Sequence, residues 1–256
     1  MKIARFSQGG SDPRFGIVDG DDLVVLAGDP MFAGFAPIDE RVPIADVKLL
    51  APVIPRSKVV CVGLNYSAHA ADMGDQGHKA PLIFLKPNTA VVGPGDAIQL
   101  PVGVGKIVHE GELVIVIGKI AKQVKAADYA DYVFGYTIGN DVSARDLMVT
   151  DGQWARAKGF DTFAPIGPYI ETEIDPSNLD ITTFVDGEPR RKGNTSEMIH
   201  GIPEIIEFVS DVWTLLPGDI IMTGTPAGLG GFTDGQVVDI TIEGIGTLTN
   251  PARNRP

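Results

Sequence analysis

Three acidic residues mark the ends of apolar stretches. Glu110-Gly111-Glu112 leads into Leu113-Val114-Ile115-Val116-Ile117. Alternate residues of a strand face one side, so Glu110 and Glu112 project together at the mouth of a strand buried on both faces. Two carboxylates side by side there repel each other and resist desolvation. A divalent cation removes both penalties, and all-oxygen ligation suits a hard ion such as Mg²⁺ or Mn²⁺. The same spacing also fits a solvated pair at an exposed strand end. A third carboxylate moves the balance toward metal. Asp141, in Asn140-Asp141-Val142-Ser143-Ala144-Arg145-Asp146, lies just beyond the apolar run from Val133 to Ile138. Two glutamates and one aspartate leave about half of an octahedral shell open for water or substrate. Taken alone, Asp141 also reads as a helix cap and Arg145 as one half of a surface ion pair.

Other residues could join such a site. In Asn65-Tyr66-Ser67-Ala68-His69-Ala70-Ala71-Asp72, a helical turn puts His69 and Asp72 on one face. A carboxylate beside an imidazole orients the ring and raises its basicity, as a general acid–base pair needs. Lys158 stands before Gly159 between aromatic residues, where it could face an anion or a developing oxyanion, or simply snorkel at the surface. Gly224-Thr225-Pro226-Ala227-Gly228-Leu229-Gly230-Gly231 lacks the Gly-Lys-Ser/Thr ending of a phosphate loop. A turn lining a pocket with backbone N–H groups is the better use, and a nucleotide site would rest on this loop alone. Cys61, the single cysteine, sits in an apolar run and reads as a small buried hydrophobe.

The elements that position these residues are sheet-like. The 256 residues include 31 glycines and 19 prolines, about a fifth of the chain, against ~12% ordinarily. That excludes a coiled coil or long-helix bundle. The 44% apolar content is enough for a core. Strands are expected over Lys2 to Phe6, Phe15 to Val18, Asp22 to Leu26, Lys58 to Leu64, Pro81 to Leu85, Glu112 to Ile117 and Val133 to Ile138. Gly28 to Pro43 reads as a connector. Ile202, Ile205, Ile206, Val209 and Val212 follow helical spacing, with Pro203 in the first turn. Val238, Ile240 and Ile242 alternate with polar residues as a half-buried strand before a turn into a last short one. A small N-terminal subdomain over 1–51 and a larger domain over 52–256 are expected. The net charge of −12 argues against nucleic acid and anionic membrane surfaces as partners. No secretory signal opens the chain and no apolar run approaches the ~20 residues of a bilayer span, so a cytoplasmic protein is the default.

Six pieces in order give the chain a resemblance. Val62-Gly63-Leu64-Asn65-Tyr66 with His69, Phe84-Leu85-Lys86-Pro87, Glu110-Gly111-Glu112-Leu113, Asn140 to Asp146, Ala157-Lys158-Gly159 and Thr223-Gly224-Thr225-Pro226-Ala227-Gly228 together resemble the fumarylacetoacetate hydrolase family. The likeness spans about residue 52 to the end. It implies a sheet-rich α+β fold, a mixed β-sandwich roll with a small N-terminal β subdomain, and a homodimer. It implies Mg²⁺ or Mn²⁺ on Glu110, Glu112 and Asp141, an acid–base pair at His69 and Asp72, and Lys158 steadying an enolate. Arg145, Lys86 and Thr225 match substrate-binding positions. Asp72 stands where the family often has glutamate, and Met148 where some relatives have glutamine. The implied reaction is C–C cleavage beside a small anionic 2-oxo acid, by oxaloacetate decarboxylation or acylpyruvate hydrolysis. The alternative within the family is isomerisation of 2-hydroxyhepta-2,4-diene-1,7-dioate. Outside it, the competing reading is a non-catalytic sheet domain that binds an anion or a protein.

Overall fold

Apolar runs and alternating segments become the strands of two large sheets, with a third, two-stranded one of Ile107–Val108 and Ser143–Ala144 among the described residues. The computed structural model describes residues 1–68, 78–228 and 230–255. At the centre lies the strand Gly111–Ile117, with every residue buried. It pairs antiparallel with Val133–Asn140 on one side and with Ile220–Met222 on the other. Beyond Ile220–Met222 come Val59–Gly63, parallel to it, and then Leu82–Lys86. Beyond Val133–Asn140 come Ala164–Glu171 and Lys2–Ser7. Both faces of the central strand are covered, which is why its sequence is an unbroken apolar run. Leu113, Ile115 and Ile117 enter one core with Ile181, Val238, Ile240 and the helix residues Ile205, Ile206 and Val209. Val114 and Val116 enter another with Cys61, Ile166 and Met222. Full burial of each such side chain is worth about 1.5–3 kcal/mol.

The second sheet runs Glu188–Asn194, Asp180–Val185, Val237–Ile242, Gly246–Asn254, Ile98–Leu100. It packs against the first, and Gly111 is one point of close approach. A Cβ there would stand 2.7 Å from Thr183 Oγ1 and 2.9 Å from Ile240 Cγ2, so only glycine lets the sheets meet beside the acids. The helix Ile202–Val212 forms as its spacing predicts, burying Ile202, Ile205, Ile206 and Val209.

The N-terminal strands Lys2–Ser7, Arg14–Asp19 and Asp22–Leu26 fall where expected. They are hydrogen-bonded into the large sheet, Ile3 opposite Ile170, and enclose a small core of Ala4, Phe6, Leu23, Val25 and Val42. The stretch from Gly28 to Pro43 is more than a connector. Asp29 accepts from Met31 N at 3.0 Å and opens the short helix Pro30–Ala33. Pro37–Pro43 then pairs with Asp22–Leu26 as an edge strand, the place where proline's missing N–H is tolerated. Among the described residues no helix is long and apolar enough to cross a membrane.

Candidate metal centre

The pairing of two strands brings the acids together. Asn140 ends its strand opposite Gly111, and Asp141 N donates to Glu110 O at 2.8 Å. Asn140 Oδ1 accepts from Glu110 N at 2.9 Å, which closes the junction. Oxygens of Glu110, Glu112 and Asp141 converge within 4.8 Å of one another. Glu110 is 5% exposed and the other two are 1% exposed, so these are not solvated strand-end acids. Ser143 Oγ donates to Glu110 Oε1 at 3.1 Å, and Gly224 N donates to Glu112 Oε2 at 2.7 Å.

Two lysines reach the same cluster. Lys158 Nζ lies 2.7 Å from Glu110 Oε2 and 2.6 Å from Asp141 Oδ2. Lys86 Nζ pairs with the other oxygen of Asp141 and donates to Val142 O at 3.0 Å. Both lysines are 2% exposed, so neither is a snorkelling surface residue. Gly159 packs closely beside them: a Cβ there would lie 2.4 Å from Ala155 O and 3.2 Å from Pro87, the neighbour of Lys86. The Lys158 ammonium also sits 5.1 Å from the centre of the Phe84 ring, which is edge-on to Trp154.

Electrostatics at the centre are unbalanced. Burial pulls the Lys158 pKa down, but Asp141 and Glu110 outweigh it and hold the ammonium above its ordinary value. Glu112 goes the other way. Burial, then the charges of Asp141 and Glu110, push its carboxyl well above the usual range. Three carboxylates and two ammonium groups share the cluster. A hard divalent cation on these oxygens offsets the mutual repulsion that pushes Glu112 up, so the three-carboxylate donor set fits Mg²⁺ or Mn²⁺. The Tyr66 hydroxyl is buried nearby without a partner among the described residues. Burial, followed by Glu112 and Glu197, pushes its pKa up.

The other residues singled out in the sequence are distributed as follows. Arg145 is half-buried at the start of the helix Arg145–Thr150, its backbone N–H donating to Lys106 O at 2.8 Å. Thr225 is buried, and its hydroxyl donates to Gly111 O at 3.0 Å. His69 and Asp72 lie outside the described residues. Cys61 is fully buried and free, and burial above all raises its pKa, so it is a core residue. Sequence reasoning quoted Asn140 and Ser143 in the Asn140 to Asp146 motif without giving them a role, and passed over Arg191. The first two flank Asp141, and strand pairing against Glu110 would have pointed to them. Arg191 sits in Arg190-Arg191-Lys192, which looks like a solvated run, and no local signal distinguishes it.

Fold and centre together define a sheet-rich α+β protein whose buried acids can hold a divalent cation. The chain belongs to the fumarylacetoacetate hydrolase family: the model of the Fumarylacetoacetate (FAA) hydrolase C-terminal domain matches residues 58–253. A second model, Rv2993c-like, N-terminal, matches residues 1–52. Protein Rv2993c of Mycobacterium tuberculosis is 55% identical over 227 residues, 88% of this chain and 83% of that protein. Oxaloacetate tautomerase YisK of Bacillus subtilis is 41% identical over 252 residues, 91% of this chain and 84% of that one. The structure of 2-hydroxyhepta-2,4-diene-1,7-dioate isomerase from Mycobacterium marinum superposes with a TM-score of 0.92 at 47% identity, covering 100% of this chain and 99% of that one. Maleylpyruvate hydrolase from Sphingobium sp. SYK-6, in complex with manganese(II) and pyruvate, gives 0.82 at 33% identity, covering 100% of both chains.

Proposed function

We propose that this chain is a divalent-cation-dependent enzyme that acts on a small 2-oxo dicarboxylate through its enolate. The observation that carries the reading is the buried cluster of Glu110, Glu112 and Asp141 faced by Lys158 and Lys86. Residues 52–256 carry the chemistry and residues 1–51 are an appended subdomain. Glu110, Glu112 and Asp141 hold Mg²⁺ or Mn²⁺, which when bound supplies positive charge opposite a developing enolate.

The chain's own residues set the rest. Lys158 stays protonated at neutral pH, so it stabilises negative charge and does not act as a base. Arg145 offers a planar fork for the distal carboxylate, which selects dicarboxylates. Thr225 contributes to the near carboxylate. His69, oriented by Asp72, carries the proton at C3. In a tautomerisation, the C3–H bond breaks, the electron pair moves onto the 2-oxo oxygen, and a proton returns there. In a decarboxylation, the C3–C4 bond breaks instead, CO₂ leaves, and C3 of the enolate is protonated afterwards. Sequence reasoning placed cleavage first. Relatives named as oxaloacetate tautomerases, 42% and 41% identical, favour the proton shift as the main outcome. Cleavage remains the second reading, supported by the maleylpyruvate hydrolase likeness at 33% identity. The working unit is a homodimer, so light scattering should return about twice 27.1 kDa.

The test is a substrate panel with Mg²⁺ or Mn²⁺: enol-oxaloacetate, keto-oxaloacetate, acetylpyruvate, fumarylpyruvate and the heptadienedioate. Enol–keto conversion of oxaloacetate should be fastest, should stop with EDTA, and should fall sharply in His69→Ala. Undiminished turnover in EDTA would reject the metal reading. Faster hydrolysis of an acylpyruvate than conversion of oxaloacetate would restore cleavage to first place.

A further inference from the structure

We propose that Arg191 is the positioning residue of this centre: its guanidinium locks the turn from Thr223 to Gly228, and through that turn fixes the Glu112 carboxylate. It acts on the site through Thr225 and Gly224, which stand between it and the acids.

Arg191 lies on the edge strand Glu188–Asn194, opposite Thr183. Strand alternation turns Arg190 and Lys192 outward and Arg191 inward, where it is 3% exposed. A buried guanidinium is costly unless its N–H groups are matched. Nε donates to Gly228 O at 2.7 Å, and Nη1 donates to Thr225 Oγ1. The Thr225 hydroxyl has one proton, and that proton goes to Gly111 O. Its oxygen accepts from Arg191. The hydroxyl is therefore a strut between the edge strand and the central strand. One residue earlier, Gly224 N–H donates to Glu112 Oε2. Guanidinium, hydroxyl, turn and ligand thus form one connected series.

The packing leaves this series little slack. A Cβ at Gly193 would stand 2.4 Å from Pro226 Cβ, and one at Gly228 would lie 3.3 Å from Arg190 O. Gly224 has φ +98°, a left-handed conformation, and a Cβ there would meet Asn65 Cβ at 2.8 Å. The turn is wedged between Asn65 and the strand Glu188–Asn194, and Arg191 ties its middle, at Thr225, to its end, at Gly228. Lysine cannot replace it, because one ammonium cannot address a carbonyl and a hydroxyl with the same fixed fork.

The inference rests on the proposed function only in regarding the acids as a metal centre, and its test needs no substrate. Mn²⁺ is titrated into the full chain and followed by electron paramagnetic resonance, for Arg191→Ala, Arg191→Lys, Thr225→Val and Thr225→Ser. Arg191→Ala should weaken Mn²⁺ binding about tenfold, as loss of an orienting partner does, and millimolar methylguanidinium should restore most of it. Thr225→Val should resemble Arg191→Ala, while Thr225→Ser, which keeps the strut, should stay near the parent. Should Arg191→Ala fail to fold, Arg191→Lys carries the test, with weakened Mn²⁺ binding at a melting temperature in EDTA close to the parent's. Parent-like Mn²⁺ affinity in both Arg191→Lys and Thr225→Val would overturn the inference. Should the parent bind no Mn²⁺, the metal reading falls alone. Hydrogen exchange at the Gly224 amide then decides, faster in Arg191→Lys if the lock is real and unchanged if it is not.

Discussion

Asp219 and Glu112 are buried acids at opposite ends of one strand pair, and their surroundings are opposite too. Asp219 precedes the strand Ile220–Met222, where Ile117 N donates to its carbonyl at 3.0 Å. Glu112 stands at the other end of Gly111–Ile117. The Asp219 carboxylate accepts from Ser57 N at 2.9 Å, Lys58 N at 3.1 Å and Leu216 N at 2.9 Å. Ser57 Oγ reaches both of its oxygens, and Lys58 Nζ lies at 2.8 Å. Burial raises its pKa, but Lys58, Leu216 and Ser57 outweigh that and hold it below the ordinary value. Glu112 receives one backbone N–H, from Gly224, and shares its space with two other carboxylates. An acid whose role is to fix a loop is saturated with donors. Glu112, with one backbone donor among the described residues and two carboxylates beside it, is matched to a cation. Burial alone does not separate the two cases; the count of donors does.

The largest effect expected from this contrast is on metal binding. Glu112→Gln keeps the shape and the Gly224 hydrogen bond but removes a ligand charge. Mn²⁺ affinity should fall by more than about a hundredfold, since orienting partners alone are worth about 10–100-fold. Stability of the metal-free protein should stay level or rise, because a neutral Gln escapes the burial cost and the repulsion from Asp141 and Glu110 that push the Glu112 carboxyl up. Metal titration and calorimetry in EDTA check both halves. A variant that binds Mn²⁺ normally but unfolds more easily would make Glu112 a structural acid like Asp219 and erase the distinction.

Asp219→Ala should do the reverse. It orphans the N–H groups of Ser57, Lys58 and Leu216 and strands the Lys58 ammonium. The cost should be about 3 kcal/mol, at the lower end for a broken buried pair because the Lys58 side chain is 18% exposed and can turn to water. Mn²⁺ affinity should not move. Acid unfolding gives a second readout. A carboxyl whose folded pKa lies below its unfolded value of ~3.9 stabilises the fold above that value. The contribution is lost as pH falls through the folded pKa. The parent should therefore lose stability on acidification below about pH 4 more steeply than Asp219→Ala does. Parallel denaturation curves would show that Asp219 adds no proton linkage.

Much of this was legible in the sequence, and the reason is local patterning. The run Leu113 to Ile117 declared a doubly buried strand, and its two leading glutamates had to lie on one face. The helix from Ile202 to Val212 was readable from spacing alone. Asp219 was not singled out, because Leu216-Pro217-Gly218-Asp219 looks like any turn and its donors come from Ser57 and Lys58, far away in sequence. The hairpin of Asp180–Val185 and Glu188–Asn194 was missed for a related reason. Glu188–Asn194 has no apolar face; what it turns inward is Arg191 and Gly193. That polar inward face shows only when the Thr223 to Gly228 turn is laid against it. Donor counts depend on tertiary neighbours, so the sequence could propose acids but could not say which were saturated.

The smallest effect tests redundancy at Asp219. Ser57→Ala removes one hydroxyl that reaches both oxygens and leaves three backbone N–H donors and Lys58 in place. A hydrogen bond to a charged group is worth about 1.5–3 kcal/mol when its loss leaves the charge unmatched. Here the charge remains matched, so the loss should be about 1 kcal/mol, near the net value of an ordinary hydrogen bond. Chemical denaturation resolves such a change as a shifted midpoint with an unchanged slope. A loss equal to that of Asp219→Ala would mean that the hydroxyl alone organises the Ser57-Lys58 turn. Saturation would then be a matter of one partner rather than many, and counting donors would no longer separate a structural acid from a metal-binding one.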